Sequence, residues 1–429
     1  VLVRVGKTAE DWGCGTVSDG VKILIFDKNV RSRLKRGERR IFGMSRQWPF
    51  RIIRDELLGM TSLLMAAIST PSCFAQYNCT ILFSDQSLPA PGWLNNLSST
   101  GWYSDNAPNS SQGFNPYIVS PTGSVTNLMP TGFLGASVGG YSDGFAVGNG
   151  TAIGQTSSQP LLWNLNTGTV TTLYPVSAGL STTVTAASGT YQVGYQSFAG
   201  NTHDDPEQGA VAWSGSEASI IQFGRDAIPT AINGTNVVGY SVPDPFEELA
   251  GAYPLPPPTQ AILWPGLHYG NGIDLNPSFC YDSWAYGVGG DQEVGKGDNI
   301  APWLGQQTQY ALLWTGTAAS AVILGYGTAF ATNGIQQIGQ TSSGAVVWSG
   351  TADSAVNLNN FLLTDGTWTS AEAESIDQDG NIFGIANGTY DGYTGEFAIE
   401  WSPVPEPISI SLMIGGLMAV PCRMRHKGQ

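Results

Sequence analysis

The chain has 429 residues, 18 Lys and Arg against 33 Asp and Glu, and a formal net charge of −15. Only 12% of it is charged, where about 25% is usual for soluble domains. With 55 Gly, 13 Trp, 16 Tyr and 16 Phe, the composition excludes a disordered chain and favours an all-β fold.

The charge is divided into three regions. Thirteen basic residues lie in 1–54 and three at the far end, Arg423, Arg425 and Lys427. Between them, residues 76–402 hold two bases, Arg225 and Lys296, against 25 acids, a net charge of −23. Binding to a phosphate backbone needs clustered Lys and Arg, so no nucleic-acid partner is expected.

Residues 1–43 are basic and unpatterned and precede Met44. They read as an upstream extension from a start codon set too early. From Met44 the sequence has the three parts of a secretory signal peptide. Arg46, Arg51 and Arg54 are its positive region, Leu57–Ile68 an apolar run of 12 residues, and Cys73 and Ala75 its small-residue exit. A signal helix over 44–75, with cleavage after Ala75, is expected.

The body, 76–402, repeats itself. Residues 153–163 read IGQTSSQPLLW and 338–348 read IGQTSSGAVVW. An apolar strand ending in Trp recurs at Trp163, Trp213, Trp264, Trp314, Trp348 and Trp401, at intervals of 50, 51, 50, 34 and 53. A degenerate copy, matched through Thr122–Leu128 and Thr167–Leu173, puts Ile118 at the Trp place and brings the count to seven. Each copy also has an earlier half, such as Ala231-Ile232-Asn233-Gly234 running to Val238-Gly239. Asn-Gly between short apolar runs is a hairpin turn. One repeat therefore reads as strand, turn, strand ending in Val-Gly, loop, strand ending in Trp, turn, strand ending in Leu. Four-stranded units of this size point to a β-propeller-like array of about seven repeats, with a β-sandwich or β-solenoid as its rival. The recurring Trp is expected in packing between units. The pattern resembles HAF-type extracellular repeats.

The C-terminus runs Val404-Pro405-Glu406-Pro407, then an apolar stretch Ile408–Pro421, then Arg423, Arg425 and Lys427. The stretch has 14 residues, and a stable span needs about 20. The basic tip lies where a cytoplasmic tail carries it. Motif, short hydrophobic helix and basic tip in this order resemble the PEP-CTERM sorting signal, here over 404–429. The resemblance implies a transient inner-membrane anchor, recognition by an exosortase-type membrane protease, and delivery to the cell envelope or outside. It also implies an association with exopolysaccharide.

Insertions between the Val-Gly strand and the Trp strand mark one face, because equivalent loops of a repeat protein emerge together. Asp204, Asp205 and Glu207 lie in 199–209, and Asp244, Glu247 and Glu248 in 241–259. Asp291, Glu293 and Asp298 lie in 290–307. Such a face would bind polysaccharide or, weakly, Ca2+; the plainer reading is acidity for solubility.

Catalytic chemistry is hard to place. The body has two His, His203 and His268, too few for a His-based metal cluster. Asp377-Gln378-Asp379-Gly380-Asn381 lacks the EF-hand order and reads as a hairpin turn. Gly135-Ala136-Ser137-Val138-Gly139 spells a nucleophile-elbow string, but a turn follows it and not the helix an elbow needs. No catalytic residue, metal ligand or resident cofactor is assigned. Cys79 and Cys280 are the only Cys in 76–402; an oxidising compartment would permit them to pair, and the alternative is two buried thiols. The expected role is structural or glycan-binding in the envelope or matrix. The alternative is a secreted propeller enzyme acting on polysaccharides, which a convergent carboxylate pair in a central pocket would favour.

Overall fold

The computed structural model describes residues 76–89, 94–109, 113–174, 180–198, 208–241, 258–270, 272–300 and 305–404, all within the unit 74–429. The extension, the signal segment with Ala75, and the tail from Pro405 onward lie outside these residues. Among the described residues no helix is long and apolar enough to cross a membrane.

The described strands form seven four-stranded antiparallel sheets, the blades of a β-propeller. Strand β1 (Tyr77–Ser84) opens the body. Blade 1 is β2 (Leu94–Asn96), β3 (Tyr103–Pro108), β4 (Phe114–Val119) and β5 (Val125–Asn127). Blade 2 is β6 (Phe133–Ser142), β7 (Phe145–Ala152), β8 (Gln159–Asn164) and β9 (Thr169–Thr172). Blade 3 is β10 (Leu180–Ser188), β11 (Tyr191–Phe198), β12 (Gln208–Trp213) and β13 (Ile221–Arg225). Blade 4 is β14 (Ala227–Asn233), β15 (Asn236–Ser241), β16 (Ala261–Pro265) and β17 (Ile273–Asp274). Blade 5 is β18 (Asp282–Gly289), β19 (Gln292–Asp298), β20 (Gln309–Trp314) and β21 (Val322–Tyr326). Blade 6 is β22 (Thr328–Thr332), β23 (Gln337–Thr341), β24 (Gly344–Trp348) and β25 (Val356–Asn357). Blade 7 is β26 (Thr367–Ile376), β27 (Ile382–Tyr390) and β28 (Tyr393–Pro403), completed by β1, which pairs antiparallel with β28. The first strand of the body thus closes the last blade.

The sequence repeat and the blade share one frame. In each of blades 2–7 the Trp lies on the third strand, buried between that blade and the one before it. Trp163 Nε1–H donates to the Leu128 carbonyl of blade 1 at 2.7 Å, and Trp401 to the Leu358 carbonyl of blade 6 at 3.1 Å. Trp213 and Trp314 are as deeply buried, with no partner for the indole N–H.

Blade 1 corrects the alignment of the degenerate copy. Val119 pairs with Val125 as Trp163 pairs with Val170, and Ile118 pairs with Thr126 as Leu162 pairs with Thr171. Val119 therefore holds the Trp place. Ile118 faces blade 2, as Leu162 faces blade 3. The interval from Val119 to its partner Val125 is one residue shorter than that from Trp163 to Val170, which shifts the match by one. Tyr103 takes over the link to the preceding blade. It is fully buried, with its hydroxyl 2.9 Å from the Gly384 carbonyl oxygen and 3.1 Å from that of Ile399.

The Val-Gly signature has a steric cause. The first strand of each of blades 2–7 carries a β-bulge, seen as a register shift against the second strand. The glycine of Val-Gly faces that bulge. A Cβ at Gly148, Gly194, Gly239, Gly295, Gly339 or Gly384 would stand 1.9–2.1 Å from a first-strand carbonyl oxygen. Bulges re-aim a strand and add twist, and here one recurs in six of the seven blades.

The remaining motifs resolve as turns and strand. Asp377 Oδ1 accepts from the N–H groups of Asp379 and Asn381, closing the hairpin between β26 and β27. Ser137 lies within β6 and pairs with Asn149, so no elbow forms. Cys79 and Cys280 are both free thiols, packed in the blade 6–7 core and the blade 4–5 core. The disulfide open to them in sequence is not made. Burial pushes the Cys79 thiol up to about 11 and, with Asp298 adding to it, that of Cys280 up to about 12.

The Gly339→Ala variant tests the steric argument. A methyl there meets the Thr328 oxygen at 2.0 Å, and a loss of about 3 kcal/mol or more is expected. It is read as a lowered urea midpoint, against an exposed control, Ser342→Ala, expected within about 0.5 kcal/mol of the parent. Equal midpoints for the two variants would remove the bulge as the reason for Val-Gly.

Candidate functional site

Antiparallel meanders of one direction place the second-to-third-strand loops and the inter-blade connections at one end of the ring. The hairpins between first and second strands lie at the other. The six acids Asp204, Asp205, Glu207, Asp244, Glu247 and Glu248 fall outside the described residues. The third acidic group is not a loop insertion. Asp291 is in the hairpin before β19, at the opposite end, and Glu293, Lys296 and Asp298 are within β19 itself. Glu293 is buried and accepts from the Gly316 N–H at 2.8 Å. Asp298 reaches the expected end but is 5% exposed. Its carboxyl is raised by burial, with Lys296 opposing and Asp282 adding. Lys296 lies 4.4 Å from the centre of a Trp284 ring. Val404, the first residue of the sorting motif, donates its N–H to the Gln76 carbonyl at 2.8 Å. Pro405, Glu406, Pro407, Arg423, Arg425 and Lys427 lie outside the described residues.

The end of the ring singled out by the loops does carry a site, built by other acids. A cavity of about 280 Å³ open to solvent lies where blade 7 meets blades 6 and 1. Ser370, Glu372 and Glu374 reach it from β26, Asn387 from β27 and Glu396 from β28. Asn95 comes from β2 and Gln340 from β23. Ser370, Asn387, Glu396 and Gln340 are toward the loop-bearing ends of their strands, and Glu374 lies deeper, two residues from the hairpin end of β26. Its lining is therefore carboxylates, amides and a hydroxyl, with Leu94, Ala371 and Ile385 between them.

The same carboxylates join the first and last blades. Asn96 N–H donates to Glu374 Oε2 at 2.6 Å and Leu94 N–H to Glu396 Oε2 at 3.1 Å. Ser375 Oγ donates to the Ser98 carbonyl at 2.9 Å. Asp85 follows β1 directly; its Oδ1 accepts from Tyr393 Oη–H at 2.7 Å and Glu396 N–H at 3.3 Å. Asp105 completes the group from β3. It pairs with Tyr117 as Gly148 pairs with Leu161, so an aspartate stands where the other blades have the Val-Gly glycine. Asp105 is fully buried and neither of its oxygens has a hydrogen-bond partner.

Crowding of acids away from water keeps protons on them. Burial, then Glu372 and Glu396, pushes the Glu374 carboxyl up to about 8 against the hydrogen bond from Asn96. Burial, then Asp85 and Glu396, pushes Asp105 up to about 6. Glu372 is raised by burial. At neutral pH Glu374 is a protonated acid among carboxylates. In sequence its only advance sign is Glu372-Ala373-Glu374, two acids at a spacing that shares one strand face. Asp282 is the only other acid in any first strand of blades 1–6.

No family model and no curated protein matches the chain. Solved structures resemble it at low identity. TolB from Acinetobacter baumannii is 12% identical with a TM-score of 0.36, over 83% of this chain and 70% of that one. The β-propeller domain of the Trilobed protease from Pyrococcus furiosus is 10% identical with a TM-score of 0.46, over 72% and 97%. Oligogalacturonate lyase from Vibrio parahaemolyticus is 10% identical with a TM-score of 0.44, over 77% and 98%. The propeller assignment rests on the seven sheets themselves, and none of these proteins lends the chain an activity.

The raised carboxyls set a sign for pH dependence. Unfolded Glu and Asp titrate near about 4, so the folded state keeps protons that the unfolded state has lost. Stability from these groups is fully present below that value. It is lost as pH rises through about 6 for Asp105 and about 8 for Glu374. Thermal midpoints are expected to fall from pH 5.5 to about 8 and to level off above it. Glu374→Gln, which mimics the protonated form, should flatten the upper part of that curve. A midpoint rising with pH across this range would contradict the assignment.

Proposed function

We propose that the chain is an exported β-propeller that binds polysaccharide in the cell envelope or extracellular matrix. On this reading the 44–75 segment directs export. An exosortase-type protease then acts at Val404-Pro405-Glu406-Pro407 while the apolar run and basic tip hold the inner membrane. The support for export is the order of segments in the sequence. The observation that carries the binding role is the open cavity lined by Glu372, Glu374, Glu396, Asn95, Asn387, Gln340 and Ser370. Several convergent polar groups suit a hydroxyl-rich ligand, and concave sites of this kind are where ligands bind.

A second reading, a secreted enzyme acting on polysaccharide, is favoured by one specific feature. Glu374 holds a proton beside carboxylates in an open cavity, the pairing that general acid–base chemistry uses. A glycan array on the full chain, followed by hydrolysis assays on each hit, separates the two. Binding without cleavage supports the binding role. Cleavage that falls about 100-fold or more in Glu374→Gln, with binding retained, supports the enzyme. An array with no hits removes both.

The sorting reading has its own test. Replacing Pro405, Glu406 and Pro407 by Ala is expected to leave an uncleaved, membrane-associated precursor. Fractionation and mass measurement of the intact protein read this out. Unchanged processing would refute the proposed role of the motif.

A further inference from the structure

The cavity beside blade 7 gathers several carboxyl groups with no basic residue in its lining. Glu372, Glu374 and Glu396 line it, and Asp85 holds the Glu396 backbone from behind. Asp105 lies on the same face of β3 as Tyr103, whose hydroxyl reaches the blade 7 carbonyls. Strand alternation therefore aims the Asp105 carboxyl at blade 7 as well, where both its oxygens remain buried without a donor. Buried carboxylates are stable only when paired or protonated. The two bases of the body are elsewhere, Arg225 in blade 3 and Lys296 in blade 5. Asp105 is not among the residues that line the cavity, so a cation brought by a ligand would meet Glu372, Glu374 and Glu396.

The rest of the lining narrows its kind. Amides at Asn95, Asn387 and Gln340 and the Ser370 hydroxyl offer both donors and acceptors, which suits a sugar ring bearing hydroxyls. A bare metal ion fits less well. Among the described residues no three His, Cys, Asp or Glu side chains converge to hold one. An ammonium group, with three donors, can instead engage carboxylates spread around it. We propose that this cavity binds a saccharide with a free amine, the amino-sugar unit of a de-N-acetylated polysaccharide. An acetylated unit would leave the carboxylates uncompensated, and charge complementarity gives the preference. The inference rests on the polysaccharide-binding reading above and narrows it to cationic sugars.

The test is calorimetry of the full chain with a glucosamine hexamer and with its fully N-acetylated counterpart, at pH 6.5 and low salt. The amine form is expected to bind about ten-fold tighter or more, and to weaken as salt is raised. Glu372 makes no hydrogen bond to the blade 1 backbone of the kind Glu374 and Glu396 make, so Glu372→Gln is the variant least disturbing to the ring. It should reduce amine binding about ten-fold without lowering the thermal midpoint. Neutralising the cavity should also drive the proton off Glu374, making the binding enthalpy depend on the buffer. Equal affinity for the two hexamers would overturn this inference and leave the polysaccharide reading standing. Binding of neither hexamer overturns it too, and the array then decides the broader reading. Amine binding untouched by Glu372→Gln would place the site elsewhere and overturn the assignment.

Discussion

The structure depends on the pairing of β1 with β28. Seven blades each bury their faces against two neighbours, so an open ring would leave two blade faces and a strand edge in water. β1 covers the β28 edge by supplying the outer strand of blade 7 from the opposite end of the body, paired from Tyr77 opposite Pro403 to Ser84 opposite Phe397 with one shift of register between Ile81 and Phe83. Closure then sets blade 7 against blade 1, where Phe83, Leu88, Phe383, Ile385 and Ala398 meet Leu94, Tyr103 and Val119. Exposed edges invite pairing with other chains, and that of β28 is covered from within the chain.

Elsewhere the ring is built by repetition. The Trp on the third strand fills the gap to the preceding blade, and the Val-Gly glycine admits the bulge of the first strand. Blade 1 breaks both habits, with Val119 at the Trp place and Asp105 at the glycine place. It is also the blade that must meet the closing strand. Its contacts with blade 7 are accordingly polar as well as apolar: a tyrosine hydroxyl on two carbonyls, and two glutamates on the backbone of β2. The departure from the repeat and the gathering of carboxylates coincide at the seam.

That coincidence gives the seam two duties. Glu374 and Glu396 hold blade 1 in place through backbone hydrogen bonds while facing an open cavity. Holding several acids together away from water stores a preference for protons or for a cationic ligand, and a ligand that met the preference would also tighten the ring. The other blade contacts combine apolar clusters with side-chain hydrogen bonds to the neighbouring backbone, as between Asn106 and Val138 or Asp282 and Thr259, and the blade 1–7 seam differs in gathering several carboxyl groups at one open cavity.

The sequence by itself determined the repeat frame, the four strands of each unit, the hairpin turns and the count of seven. These follow from local chemistry, such as Asn-Gly turns, alternating apolar residues and one Trp per unit, and local chemistry is written in neighbouring residues. It misjudged details that depend on register. A one-residue shorter interval between the paired residues of β4 and β5 moved Val119 into the place assigned to Ile118, and 290–298 proved to be a hairpin and strand where a loop was expected. Only the tertiary structure decided where the acids meet. Asp85 and Asp105 are separated from Glu372, Glu374 and Glu396 by nearly the whole body, and they come together because the ring closes. No spacing in the chain encodes that meeting, since it depends on the path of seven blades returning the last strand to the first.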